Sequence, residues 1–203
     1  GTTIAVQYAS GQADYASEVA QLSSTANQEN AQGIVIITFD TDGVNILSHA
    51  KDDSFLSTLK WFSSEGIHGA AGLLTQDIAT FIQTTDFLGT RPLFKENELL
   101  KNFTARYKEK TGSNPPVFSA NLYDAVLLAG WSILKADSYT GAAIRTVLPS
   151  VADKYYGPSG LGVFDANGDK MFQDYSIWTV QLQAGQNEYV DTGSYVGGTI
   201  TWE

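Results

Sequence analysis

Cysteine is absent from the 203-residue chain, which excludes disulfide frameworks, thiolate metal sites and cysteine nucleophiles. Histidine is nearly as scarce. His49 and His68 are the only two, at a spacing that suggests no metal pair, so an imidazole base has little support. Positive charge is also short: 12 Lys and Arg stand against 22 Asp and Glu, for a formal net charge of −10. A field of that sign repels phosphate backbones and anionic lipids, and no basic run offsets it, so no nucleic-acid partner is expected. No stretch approaches the ~20 apolar residues that cross a bilayer as a helix. Phosphate-cradling glycine motifs after a strand are lacking. Gly157-Pro158-Ser159-Gly160 lacks the second glycine position of a nucleophile elbow and reads as a turn. No basic region precedes the first apolar run, so a signal peptide is not visible, and any leader is expected to have been removed.

What is present is an exported-looking globular chain. Hydrophobic residues make up 43% of it, enough to bury a core as one domain or two small ones. Its polar complement leans to Ser, Thr, Asn, Gln and Gly. Ile4–Tyr8 is a short apolar run ended by Ser10-Gly11, a strand signal. Asp14 can cap a helix carrying Tyr15, Val19, Leu22 and Ala26 at helical spacing. Ile34–Phe39 is apolar on both faces, as in a buried parallel strand. Asp40 to Gly43 should terminate it, with a short helix over 44–51 and a further strand over 56–62. Strand–helix alternation to about residue 90 points to parallel βαβ units.

Further on, Leu99, Phe103 and Tyr107 form a helical stripe closed by Gly112 and Asn114-Pro115-Pro116. Ser119 can cap a second helix with Leu122, Val126, Ala129 and Ile133 on its apolar face. Beyond Gly157 the pattern turns to hairpins. Asn167-Gly168 is a strong turn signal, Tyr175–Leu182 alternates, and Asp191-Thr192-Gly193 should be another turn.

Ligands of parallel sheets bind past the carboxyl ends of the strands, which singles out the segments 39–43 and 63–66. Glu65 follows a candidate strand and precedes a glycine. From there its carboxylate can pair with a ligand ammonium, worth roughly 1.5–3 kcal/mol when shielded, or else stand in water as a loop residue. Phe39 can wall a ligand or pack in the core. Trp61, Phe62 and the Leu99 stripe are assigned to the core. Asp165, Asn167 and Asp169 alternate like a calcium loop, but Lys170 stands where that loop needs glycine, so a turn is expected and no metal. No cofactor is expected.

The order of these segments is similar to the type 1 periplasmic-binding-protein fold, in the branch that binds branched-chain amino acids and amides. Asp14-Tyr15 with Val19 and Leu22 resembles that branch's helix opening. Ser64-Glu65-Gly66 looks like its ammonium-binding segment, and the run from Asn114 through Tyr123-Asp124-Ala125 resembles its Pro…Tyr-Asp-Ala helix. Gly157-Pro158, Gly160, Phe164-Asp165 and Asn167-Gly168-Asp169 resemble its C-terminal hairpin.

The resemblance implies an α/β fold, a parallel sheet flanked by helices. The second lobe, incomplete, would be built from 1–92 and 150–203, and helices of the first lobe from 93–149. It implies a non-enzymatic extracytoplasmic receptor for an amino acid or small amide, docking on an ABC permease; a ligand-sensing ectodomain of the same fold is the alternative. Glu65 would take the ammonium, Phe39 would pack on the ligand with Asp40 beside it, and Tyr123-Asp124 would be structural. The pattern further implies that half of the first lobe and the opening strand and helix of the second are missing, so the chain alone should bind weakly. Residues 1–12 should then be displaced, or pair with another chain in a strand-swapped oligomer.

Overall fold

The computed structural model describes residues 2–171 and 173–203, so Gly1 of the 1–12 segment expected to be displaced or paired with another chain lies outside it. The chain forms two compact units: residues 1–91, 176–195 and 200–203, and residues 92–175 with 196–199.

In the first unit, helix α1 (Ala16–Gln28) precedes strand β1 (Gly33–Ile36), helix α2 (Asp40–Ala50), strand β2 (Lys60–Ser63), helix α3 (Gln76–Thr84) and strand β3 (Leu88–Leu93). β1 pairs in parallel with β2 through Ile34–Trp61 and Ile36–Ser63, and β2 in parallel with β3 through Ser63–Gly89. Because the strands advance in one direction, right-handed crossovers place α2 and α3 on the same face. There they bury Ile34, Ile36, Leu47, Trp61, Phe81 and Ile82. Trp61 packs edge-on against Phe81 at 5.4 Å and donates its indole N–H to Leu56 O at 3.0 Å.

The opposite face carries Val35, Ile37, Phe39 and Phe62, all exposed. The expected two-faced burial of 34–39, and the assignment of Phe62 to the core, are therefore corrected: no helix among the described residues of this unit covers that face. Ile4–Tyr8 forms no strand; it is held by the Tyr8 hydroxyl donating to Thr38 Oγ1 at 2.8 Å and by ring contact with Tyr15. β1 is the outermost strand of the sheet order, with no partner beyond it among the described residues.

Two local boundaries also differ from expectation. α2 starts at Asp40 rather than 44: the Gly43 amide already bonds Phe39 O at 2.8 Å, and Asp40 and Asp42 favour the helix's positive end. Strand β2 starts at Lys60 rather than 56. Asp53 Oδ1 accepts from the Phe55 and Leu56 amides and fixes a 3-10 turn over Leu56–Thr58.

The sheet continues through β6 (Asp174–Gln183), β7 (Gln186–Val196) and β8 (Thr199–Trp202), in the order β1-β2-β3-β6-β7-β8, after a separate two-stranded hairpin of β4 (Tyr156–Gly157) and β5 (Gly160–Leu161). Asp191-Thr192-Gly193 lies within β7 rather than in a turn. The turns are Ala184-Gly185 and Gly197-Gly198, where both central residues take positive φ, as two-residue hairpin loops require.

In the second unit, α4 (Glu98–Thr111) ends at the left-handed cap Gly112, followed by α5 (Ser119–Ala136) and α6 (Gly141–Ala152). α5 buries Ala120, Asp124, Leu128 and Ser132, not the expected stripe; Leu122 and Val126 stay exposed. Asp124 decides that orientation. Its buried carboxylate accepts from the Tyr155 hydroxyl at 2.7 Å and from the Ser159 amide at 2.8 Å, with the Ser159 hydroxyl as a third donor. Burial, reinforced by Asp124, raises the Tyr155 pKa above the ordinary phenol value. Lys170 donates to Ser159 Oγ at 3.0 Å, and burial lowers its pKa against the opposing pull of Asp124. This network ties Tyr155, Ser159 and Lys170 to α5. The loop beyond it is a turn: Asp165 Oδ1 accepts from the Asn167 and Asp169 amides.

At the centre of the sheet, a Cβ on Gly89 would collide with the Trp178 indole, which is fully buried. Gly89→Ala should therefore cost about 1–3 kcal/mol in urea denaturation. Gly130→Ala, in α5 with open space around it, should stabilise by up to about 1 kcal/mol. Equal midpoints for the two variants would contradict this packing.

Candidate functional site

Strand β1 runs out at Ile36, and three residues later Phe39 stands in extended conformation at the start of α2, with Asp40 opening the helix. Strand β2 runs out at Ser63. Ser64 accepts the Gly66 amide through its side chain and starts a 3-10 turn, Glu65–Ile67. Both segments lie past the carboxyl ends of parallel neighbours, where a doubly wound sheet offers its ligand crevice.

Gly66 joins them. A Cβ there would collide with the Thr38 carbonyl oxygen, and the Phe39 ring lies 3.5 Å from the same point. Any side chain at 66 would force the two loops apart, so glycine lets the residue after Glu65 sit directly against the Thr38 carbonyl. The structure thus brings Glu65, Phe39 and Asp40 to one ledge of the first unit. Phe39 is 77% exposed, Asp40 exposed and Glu65 half-buried, so the ledge is open rather than enclosed.

Behind it lie residues that sequence reasoning did not single out. Tyr189 of β7 donates its hydroxyl to Ala70 O at 2.8 Å, holding down the loop that follows Glu65. Burial pushes its pKa up to about 12, with a backbone bond from the loop opposing and the charge of Asp40 adding. His68 packs on Tyr189 at 4.7 Å and on Trp178 at 5.2 Å between ring centroids. The Ser63 hydroxyl and Trp178 Nε1, both buried, find no partner among the described residues. The only prior signal for Tyr189 is an aromatic in an alternating strand, which every core tyrosine shares. His49 is placed elsewhere, 3.2 Å from Asp14.

No group of three or more His, Cys, Asp or Glu that could hold a metal occurs among the described residues. Asp42 is occupied by the Ser10 hydroxyl at 2.8 Å and the Gly11 amide at 3.2 Å. No helix among the described residues is long and apolar enough to cross a membrane.

The sequence matches the family described as periplasmic binding protein over residues 1–187. No curated protein matches it. Among solved structures, the leucine binding protein LivK of Thermotoga maritima is 21% identical with a TM-score of 0.60, over 94% of this chain and 51% of its own. The branched-chain amino acid transporter substrate binding protein LivJ of Streptococcus pneumoniae, solved with isoleucine, is 16% identical with a TM-score of 0.54, over 93% and 50%. A fatty acid ABC transporter substrate-binding protein of Thermomonospora curvata gives 15% and 0.57, over 89% and 46%. The chain spans about half the length of these relatives, and at such identities the likeness is one of fold.

Burial holds the His68 pKa below its ordinary 6.5, with Arg91 adding to the effect and Asp191 opposing it. The unfolded chain therefore binds the proton at higher pH than the folded one. Stability contributed here is present above about pH 6.5 and is lost as pH falls toward the folded value. His68→Gln should flatten the decline in urea midpoint between about pH 7 and 5; an unaltered slope would place its origin elsewhere.

Proposed function

The chain belongs to the periplasmic binding protein family, and from that premise we propose that it forms the ligand-capturing ledge of an extracytoplasmic receptor for an amino acid or small amide, serving uptake through an ABC permease. The observation that carries this reading is the junction of Glu65 with Phe39 and Asp40 across Gly66 at the carboxyl ends of β1 and β2. The carboxylate of Glu65 pairs with the ligand ammonium, a charge-assisted bond. Phe39 offers its exposed ring to the apolar part of the ligand, and Asp40 adds negative potential beside it. Capture is reversible and involves no chemical step. The leucine and isoleucine named for two structural relatives support an amino acid as ligand.

In this reading the first unit is the incomplete second lobe of the receptor and the second unit supplies helices of the first lobe. A ledge contributing one side of a site should bind weakly by itself. Titrating the isotope-labelled chain with leucine should produce saturable amide shifts at 38–43 and 64–68 at millimolar ligand. Glu65→Gln should weaken that binding roughly 10- to 100-fold, and 4-methylpentanoate, which lacks the ammonium, should shift nothing. Equal binding by the variant would remove Glu65 from this role.

The β1 edge, with no strand beyond it among the described residues, supports the strand-swapped pairing of Ile4–Tyr8 between copies. Light scattering should show mass rising with concentration, and Val35→Lys should suppress the rise; a monomer at all concentrations would exclude the pairing.

A further inference from the structure

The second unit holds a groove of about 510 Å³ between α4, α5 and the β4 segment. Its floor is aromatic: Phe103 and Tyr107 from α4, Tyr123 from α5, and Tyr155, which precedes β4. Phe103 lies 5.3 Å from Tyr123 and 6.0 Å from Tyr107 between ring centroids. The Tyr155 hydroxyl is committed to Asp124. The stripe assigned to a core from sequence is therefore corrected: α4 buries none of its residues, and its apolar side faces this groove.

Arg106 and Lys110, one turn apart, line the same groove, and neither has an acidic partner within ion-pair distance among the described residues. In a chain of net charge −10, two unpaired cations beside an aromatic floor are a specific arrangement. Rings accept a flat apolar body by stacking or edge contact, and a guanidinium with a neighbouring ammonium accepts a carboxylate. The volume falls within the roughly 300–1,000 Å³ usual for small-molecule sites.

We propose that this groove binds small aromatic carboxylates, the ring on Phe103, Tyr107 and Tyr123 and the carboxylate on Arg106 and Lys110. The site lies in the other unit from Glu65 and does not depend on the reading of that residue.

The test is a titration of the isotope-labelled chain with 3-phenylpropionate, 3-phenylpropanol and phenethylamine. The acid should give saturable shifts at amides 102–110 and 155–157, binding at least about tenfold more tightly than the alcohol, with the amine weakest. Arg106→Gln combined with Lys110→Gln should erase the preference for acid over alcohol while leaving the rest of the spectrum unchanged. Glu65→Gln should leave all three titrations unaltered, which separates this site from the leucine ledge. Equal affinity for acid and alcohol, or a double variant that keeps the preference, would overturn the proposal. Failure to saturate by about 10 mM would do the same and would leave the groove as a face for another polypeptide.

Discussion

The handedness of the crossovers controls what this chain can and cannot cover. Strands β1, β2 and β3 are laid down in one direction, so each right-handed connection returns over the same side of the sheet. That side receives α2 and α3 and becomes a packed core around Trp61, Leu47 and Ile82. The other side receives nothing from these units of βαβ, and Val35, Ile37 and Phe62 are left facing outward. The same rule gathers the loops after β1 and β2 at one end, where Phe39, Asp40 and Glu65 meet.

In the second unit a polar group does the organising. Asp124 is buried, and its carboxylate takes donors from Tyr155 and Ser159 while Lys170 approaches through Ser159. An uncompensated carboxylate there would be costly, and the satisfied one fixes which side of α5 turns inward. The aliphatic residues of α5 are consequently rotated outward, and α4 is left to line a groove instead of a core.

Much of this was legible in the sequence because it depends on local chemistry. Gly112 does close α4 in the left-handed conformation, Asn167-Gly168 does turn, and Tyr175–Leu182 does form a strand, although it is buried on both faces from Ser176 to Val180 instead of alternating. The α/β pattern and the carboxyl-end position of Glu65 also follow from spacing alone. What escaped depends on partners distant in sequence. The inward side of α5 is set by Asp124 finding Tyr155 and Ser159 some 31 and 35 residues away. The exposure of Val35 and Phe62 depends on which face the helices occupy, and a hydrophobic run carries no record of that. Asp191-Thr192-Gly193 has turn composition, yet the pair Gly197-Gly198 supplies the positive φ values that reverse the chain.

The missing side chain at position 66 has a mechanical meaning. With the Thr38 carbonyl pressed against that α-carbon and the following loop held to β7 by the Tyr189 hydroxyl, Phe39 and Glu65 share one rigid backbone junction. For the ligand proposed above, the spacing of the two loops is thus set before association, and little backbone freedom at this junction remains to be surrendered.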